Sequence, residues 1–436
     1  MDNNNLNNEQ NVSLNVNNQI DTEENVNTIL SVDEAEIKKQ KKSYYASLLW
    51  KLTLTIVIIL FLQLIFVIPR SFFTGFMGTF SQRIHNGFTD AYLRFEGNGG
   101  LNTLVSVLTY IDLMLSVSIG ALVLYFLTKK NAQKPERGSL KFGWWFVMFL
   151  CCFGIGGIGQ LIGSIVNGIV LAPANILNLV ISSTLSGSNI VADLLYADDS
   201  WIYLLFGILT VGIIVPILEE LIFRRLVINA TCKYGYGAAI MISAFTFAVY
   251  HGNFVQFFYA FGLGLFFAYI YCKTGKLRYT VLLHMGYNLY AAMIIPLARK
   301  TIPAGVLDSI TESLTKFQET IERSPEMLQS AFNIYSYQVE RIFQTHPGAI
   351  FGILLTAAVN LFYFFLILVG IILIIVFMKK ALSVRKTMML GQKGTKRCAA
   401  FNYGAIIFYV FTALMFVLYY LVLYLATILA PFIGTI

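Results

Sequence analysis

A chain of 436 residues that is 57% hydrophobic and only 12% charged is not an ordinary soluble protein, whose charged fraction is about 25%. Its net charge of +8 does not point to nucleic acid, because the basic residues stand in short clusters between apolar runs rather than along one soluble face, the pattern expected of positive-inside sorting. With a mean hydropathy of +0.69, the chain is expected to form an all-α, polytopic transmembrane helical bundle, with room for about eight or nine spans of about 20 residues each.

In chain order, residues 1–43 are rich in Asn and acidic residues and poor in large apolar side chains, so they cannot bury enough surface to offset ordering and are expected to form a disordered cytoplasmic tail. They also lack the basic start and apolar segment of a cleavable signal peptide. Spans are expected at 46–68, 101–127, 142–172, 201–223, 236–251, 253–272, 279–297, 349–378 and 402–430, each apolar and bounded by charge, Pro or Gly. The basic clusters around Lys38 to Lys42, 129–141, Arg224 to Lys233, Lys273 to Arg278 and 379–397 all fall on one side of this zigzag. Taken as cytoplasmic, that side places the N-terminus in the cytoplasm; the expected location is a bacterial cell membrane, as an integral multi-pass protein. The connection 173–200 on the opposite side contains no Lys or Arg. Five cysteines show no disulfide spacing and read as reduced thiols.

The organisation expected from this pass is a tail over 1–43, N-terminal transmembrane helices and loops over 44–200, a core over 201–297, an extracytoplasmic amphipathic insertion over 298–348 and C-terminal helices over 349–436. Within the insertion, Val306, Ile310, Leu314, Phe317 and Ile321 share one helical face, and Leu328, Phe332, Tyr335, Val339 and Ile342 share another after Pro325. The pair reads as helices lying on the membrane or covering the bundle, with a substrate-recruiting lid as the alternative.

Glu219 and Glu220 close the apolar run that begins at Trp201, with Arg224 and Arg225 one turn on. A charged side chain near the bilayer centre costs roughly 2.5 to 3.5 kcal/mol on insertion scales, so such residues call for a partner or a task. Glu220 and Arg224 are four apart and share a face, where pairing offsets part of the cost of both; Glu219 lies about 100 degrees around the helix and is left freer, and repulsion between the two carboxylates should make one of them a better proton acceptor. A bland alternative is that the three residues only knit helices together. Asp112, in the second span, reads as a packing or proton-handling residue, and His85 and His346 as surface residues in outer connections.

The other two of the four histidines lie close by in sequence. Phe247 and His251 are four apart, so the phenyl ring shields the imidazole from one turn below; His284 and Asn288 are again four apart on one face. With a chain reversal near Tyr234 to Gly237, Glu220 and His251 each lie about 21 Å from the turn. His284 lies only about 9 Å up its helix from Arg278, so it meets them only if the first hairpin projects further than the second. A carboxylate, two imidazoles and an amide at one level are the parts of a water-activating site: a base for the water, groups that bind a metal or orient the water, and a donor for the developing oxyanion.

Glu219-Glu220-Leu221-Ile222-Phe223-Arg224, then Phe247-Ala248-Val249-Tyr250-His251, then His284-Met285-Gly286-Tyr287-Asn288 resemble, in order and spacing, the three motifs of the CPBP (Abi) family, intramembrane proteases similar to type II CAAX prenyl endopeptidases and to bacteriocin-processing or immunity proteins. The resemblance covers roughly 201–297. It implies a four-helix catalytic core in which Glu219 is the water-activating base, Glu220 supports it and Arg224 holds the acidic pair. It further implies that His251 and His284 act as ligands or water-orienting groups, that Asn288 helps at the oxyanion, and that the substrate is a membrane-associated peptide or protein. The segments outside the match are expected to set substrate choice.

The resemblance leaves a metalloprotease and a metal-free, glutamate-type hydrolysis both open. His251, His284 and Glu219 suit zinc by ligand type, but there is no His-Glu-x-x-His helix and no Cys ligand set. Two other classes fit the same residues: a noncatalytic membrane scaffold or bacteriocin-immunity regulator, and a proton-coupled transporter using Asp112, Glu219 and Glu220. No internal repeat or pair of matching interrupted spans favours the transporter.

Overall fold

The computed structural model describes residues 45–63, 100–176 save 130, 131, 136 and 137, and 201–388 save 253, together with positions 43, 90, 409 and 410. Most of the N-terminal tail, the connection 173–200 beyond residue 176, His85, Cys398 and most of the span expected at 402–430 lie outside the described residues. Chain contacts divide the molecule into Met1–Lys51 and Leu52–Ile436. The described part of the first unit is the start of one apolar helix, whose remainder belongs to the second.

Among the described residues the fold is all-helical, and seven helices are long and apolar enough to cross a membrane. The protein is an integral, multi-pass membrane protein. In chain order the elements are α1 (Tyr45–Gln63), α2 (Gly100–Thr128), α3 (Phe142–Ile176), α4 (201–234), α5 (Tyr236–Tyr250), α6 (Phe254–Thr274), α7 (Leu277–Arg299), α8 (Val306–Arg323), α9 (Leu328–Thr345) and α10 (Ala349–Met388). α5 is apolar but shorter than a full span.

The segments expected as spans are helices wherever they are described, and the main difference lies in α4. The apolar run does not stop at Phe223: the helix continues through Arg224 and Arg225 to Tyr234. Arg224 is fully buried, whereas Arg225 is exposed, so only one of the two arginines behaves as a boundary charge. Beyond them Ile228 packs in a cluster with Ala239, Ala268, Tyr271 and Cys272, and Asn229 Oδ1 accepts a hydrogen bond from the Tyr271 hydroxyl at 3.1 Å. These contacts keep the last turns of α4 folded against α5 and α6.

Reversals are set by glycines. Gly235, at φ 113, turns α4 into α5; Gly252, at φ 70, ends α5; Gly275, at φ 60, separates α6 from α7. These are conformations that residues with a Cβ seldom adopt. α3 packs closely against three helices because it carries small residues where they cross. A Cβ at Gly154 would lie 2.5 Å from the Gly370 backbone of α10, and one at Gly159 would collide with the Tyr259 backbone of α6. A Cβ at Gly156 would collide with the Tyr287 hydroxyl of α7. Such contact through small residues is the usual means of helix association in lipid.

Three stretches adopt the wider π turn: Ile208–Ile214 and Leu221–Ile228 in α4, and Tyr290–Ile294 in α7. Two of them run into a proline, Pro216 and Pro296, which has no N–H to give to the preceding turn. α8 and α9 form a helical hairpin in which the two apolar faces touch: the Phe317 and Tyr335 rings lie 5.4 Å apart. Its base is pinned where Ile302, Val306 and Ala349 pack with Ile310, Ile342 and Phe343. His346, after α9, is exposed.

Candidate active site

The site is assembled from the middle of α4, the end of α5 and the first half of α7. Glu219 and Glu220 lie in the short α-helical stretch Val215–Glu220, between the two π segments of α4. Because consecutive residues point about 100 degrees apart, the two carboxylates reach a partner from different sides. That partner is His284. Its Nδ1 lies 3.1 Å from Glu220 Oε1 and its Nε2 lies 3.5 Å from Glu219 Oε2. Arg224, one turn below Glu220, brings Nε to 3.1 Å from Glu220 Oε2. Glu220 and Arg224 are fully buried and Glu219 and His284 nearly so.

This geometry divides the work of the two acids. Glu220 has one oxygen on the imidazole and the other on the guanidinium, so it is committed to holding its neighbours. Glu219 meets only the outer nitrogen of His284, at a looser distance, and has the Tyr250 side chain within electrostatic reach. With Glu220 ionised against Arg224, Nδ1 of His284 must carry the hydrogen that it donates to Glu220. One further proton shared between Nε2 and Glu219 leaves the four side chains without net charge, the favoured condition away from water. Glu219 and His284 are therefore built as a proton-sharing pair.

His251 caps its own helix. It is the residue before Gly252, and its Nδ1 lies 2.8 Å from the Phe247 carbonyl, one of the acceptors that a helix C-terminus leaves without an intrahelical partner. A carbonyl only accepts, so Nδ1 carries the hydrogen and Nε2 is the acceptor of the neutral ring. The Phe247 ring stands edge-on to His251 at 4.8 Å and to His284 at 5.7 Å. Both imidazoles thus flank one phenyl ring, which also faces the Arg224 guanidinium at 4.5 Å.

Asn288 is on the expected face of α7 but is turned to a structural task. Its Nδ2 donates to the Val211 carbonyl at 3.1 Å. In the π segment the Val215 N–H reaches back to the Thr210 carbonyl. In the same register the Val211 carbonyl would receive the N–H of residue 216, and Pro216 has none. The Asn288 amide fills that vacancy and ties α7 to α4. Its second amide hydrogen is the one available for an oxyanion. A similar tie joins α5 to α4, where Ser243 Oγ donates to the Phe223 carbonyl at 2.7 Å.

The depth requirement read from the sequence is met in the described fold. Glu220 lies 15 residues before Gly235 while His284 lies 7 residues after Leu277, so contact between them means that the α4–α5 turn reaches about 12 Å beyond the α6–α7 turn. The structure brings Glu219, Glu220, Arg224 and His284 into one ionic chain, joins His251 to it through Phe247, and sets Asn288 on the α4 backbone. Asp112 is buried in α2. Sequence reasoning missed Tyr250 and Phe267. Tyr250 was within view as the neighbour of His251, whereas Phe267 lies on α6, which carries none of the three motifs.

Zinc fits this arrangement poorly. Among the described residues no three His, Cys, Asp or Glu side chains stand together as a metal-binding group, and both nitrogens of His284 already face carboxylates.

Comparison with curated proteins and with solved structures yields no match. Comparison with family models yields one, described as "Type II CAAX prenyl endopeptidase Rce1-like" and covering residues 201–290, a stretch that contains Glu219, Glu220, Arg224, Phe247, His251, His284 and Asn288. Over α4 to the middle of α7 the chain is therefore similar to the Rce1-like type II CAAX prenyl endopeptidases, the family its three motifs resemble.

Proposed function

We propose that the protein is an intramembrane endopeptidase that hydrolyses a peptide bond of a membrane-associated peptide or protein. The observation that supports this most directly is His284 held between Glu219 and Glu220, in a segment similar to a peptidase family. In this reading Glu219 takes a proton from water, and the resulting hydroxide oxygen adds to the scissile carbonyl carbon. The free amide hydrogen of Asn288 donates to the oxyanion, and the proton held by Glu219 and His284 passes to the leaving amine as the C–N bond breaks. Glu220 and Arg224 orient His284, and His251 orients the water through Nε2.

The finer assignments belong to the same proposal. Substrates are CAAX-type tails or peptides of the bacteriocin or pheromone type, met within the lipid bilayer, with the N-terminus of the chain on the cytoplasmic side of a bacterial cell membrane. The helices before 201, the hairpin over 298–348 and the helices after 349 select among substrates.

The test is cleavage of a membrane-peptide library by purified protein and by Glu219→Gln, with bound metal measured on the same samples. The proposal expects folded Glu219→Gln protein with turnover reduced at least about 100-fold, the lower end of what a positioned general base contributes. Equal activity in both proteins would overturn it, and a noncatalytic scaffold would show no cleavage by either while keeping its phenotype in the variant.

A further inference from the structure

Arg224 raises a question that the mechanism leaves unanswered. The guanidinium has five N–H donors; its Nε faces Glu220, but among the described residues neither Nη1 nor Nη2 meets a hydrogen-bond acceptor, although the side chain is fully buried. What these two nitrogens do meet is aromatic. The Phe247 ring centre lies 4.5 Å from Cζ and the Phe267 ring centre 5.5 Å from it, both within the range of a cation–π contact, which strengthens when water is excluded. Phe267 is fully buried and comes from α6. The same ring lies 5.4 Å from the His284 imidazole, tilted by 36°.

We infer that Phe267 is a positioning residue: its ring face holds the Arg224 guanidinium and the His284 imidazole in the orientation that engages Glu220 with one and both carboxylates with the other. Phe247 and Phe267 together line the ionic chain with electron-rich surface where lipid or water would otherwise reach it. The two rings are not equivalent, because Phe247 also carries His251, whereas Phe267 touches only the Arg224–His284 end of the chain. Its loss should therefore act on the carboxylates without moving the helix cap at His251. The inference rests on the endopeptidase reading for its catalytic consequence and on geometry alone for its structural one.

The experiment replaces Phe267 site-specifically with mono-, di- and trifluorophenylalanine, a series that weakens the ring quadrupole while nearly preserving shape, and repeats the series at Phe153, a buried ring on α3 packed against Tyr287, Tyr290 and Tyr363. Two readouts are taken: kcat and KM on a cleaved membrane peptide, and the imidazole ¹⁵N shifts of His284, assigned among four histidines by difference with His284→Gln. The expected result is a stepwise fall of kcat, reaching about tenfold with three fluorines, little change in KM, a parallel movement of the His284 shifts and no trend at Phe153. A flat series in both readouts at Phe267 would overturn the inference, and so would equal trends at Phe267 and Phe153. If the unmodified protein cleaves nothing, the endopeptidase reading fails, while the His284 shifts still decide what Phe267 does.

Discussion

The Asn288 side chain donates to the Val211 carbonyl at 3.1 Å, and that carbonyl lacks a helical partner because residue 216 is proline. Two features that look unrelated in the sequence, a proline in α4 and an asparagine 72 residues later in α7, are thus one joint. Leaving a buried carbonyl without a donor costs about 1 to 3 kcal/mol, so Asn288→Ala should destabilise the protein by that amount in addition to any effect on turnover. Pro216→Ala restores an N–H next to the vacancy. Thermal or denaturant unfolding in detergent should show the double variant losing less than the sum of the two single losses, with a coupling of at least about 0.5 kcal/mol. Strict additivity would mean that the two residues are independent.

The Glu220–Arg224 pair allows a second prediction. Both side chains are fully buried and 3.1 Å apart, and removing one partner of a buried pair strands the other, at a cost of about 3 to 5 kcal/mol. Arg224→Met and Glu220→Gln should each lower the unfolding midpoint strongly. Combining them removes both charges and should recover much of the loss in stability, while activity stays low because the His284 Nδ1–H then donates to a neutral amide oxygen instead of a carboxylate. A double variant no more stable than Arg224→Met would show that the pair is not the main contact of either residue.

A third prediction separates His251 from His284. The His251 ring holds the Phe247 carbonyl through Nδ1, whereas His284 spans the two carboxylates. His251→Asn keeps a side-chain N–H that can reach the same carbonyl but removes the acceptor nitrogen, so it should fold normally and lose turnover. His284→Asn removes the bridge and should lose both turnover and stability. Unfolding midpoints beside single-turnover rates would distinguish the two, and equal destabilisation would count against the division of roles.

How much of this was legible in the sequence follows from which physical signals are local. Helical spacing put Glu220 with Arg224, Phe247 with His251 and His284 with Asn288, and counting residues from a turn put Glu220 and His251 at one depth, because both rest only on the rise and pitch of a helix; for His284 the count left a condition on how far the two hairpins project. That α4 runs on to the turn at Tyr234 was implied by that count, although the apolar span was bounded at 223; the full burial of Arg224 was not legible, because it depends on two rings from other helices. The tie from Asn288 to the Val211 carbonyl was not legible, because the carbonyl faces Pro216 in a π register that has no composition of its own. Phe267 is one of 36 phenylalanines, and only the crossing of α6 over the site distinguishes it.

The last prediction concerns the packing that holds α6, and with it Phe267, against the rest of the bundle. Gly159 on α3 faces the Tyr259 backbone so closely that a Cβ would meet backbone atoms, and a backbone cannot step aside as a flexible side chain can. Overpacking of this kind typically costs about 1 to 3 kcal/mol, more than the roughly 1 kcal/mol by which alanine improves a helix over glycine, so Gly159→Ala should be destabilising. Gly168, two and a half turns further along the same helix, has nothing among the described residues within 4 Å of the position its Cβ would take, and Gly168→Ala should be neutral or stabilising. Because Tyr259 lies eight residues from Phe267 on α6, a shift of this helix reaches the ring that faces Arg224. Gly159→Ala should accordingly lower kcat as well as the unfolding midpoint, and Gly168→Ala neither. Should Gly159→Ala unfold early yet turn over at the normal rate, α6 would tolerate movement at the α3 crossing without disturbing the ionic chain, and the rigidity of that crossing would have no part in positioning Arg224 and His284.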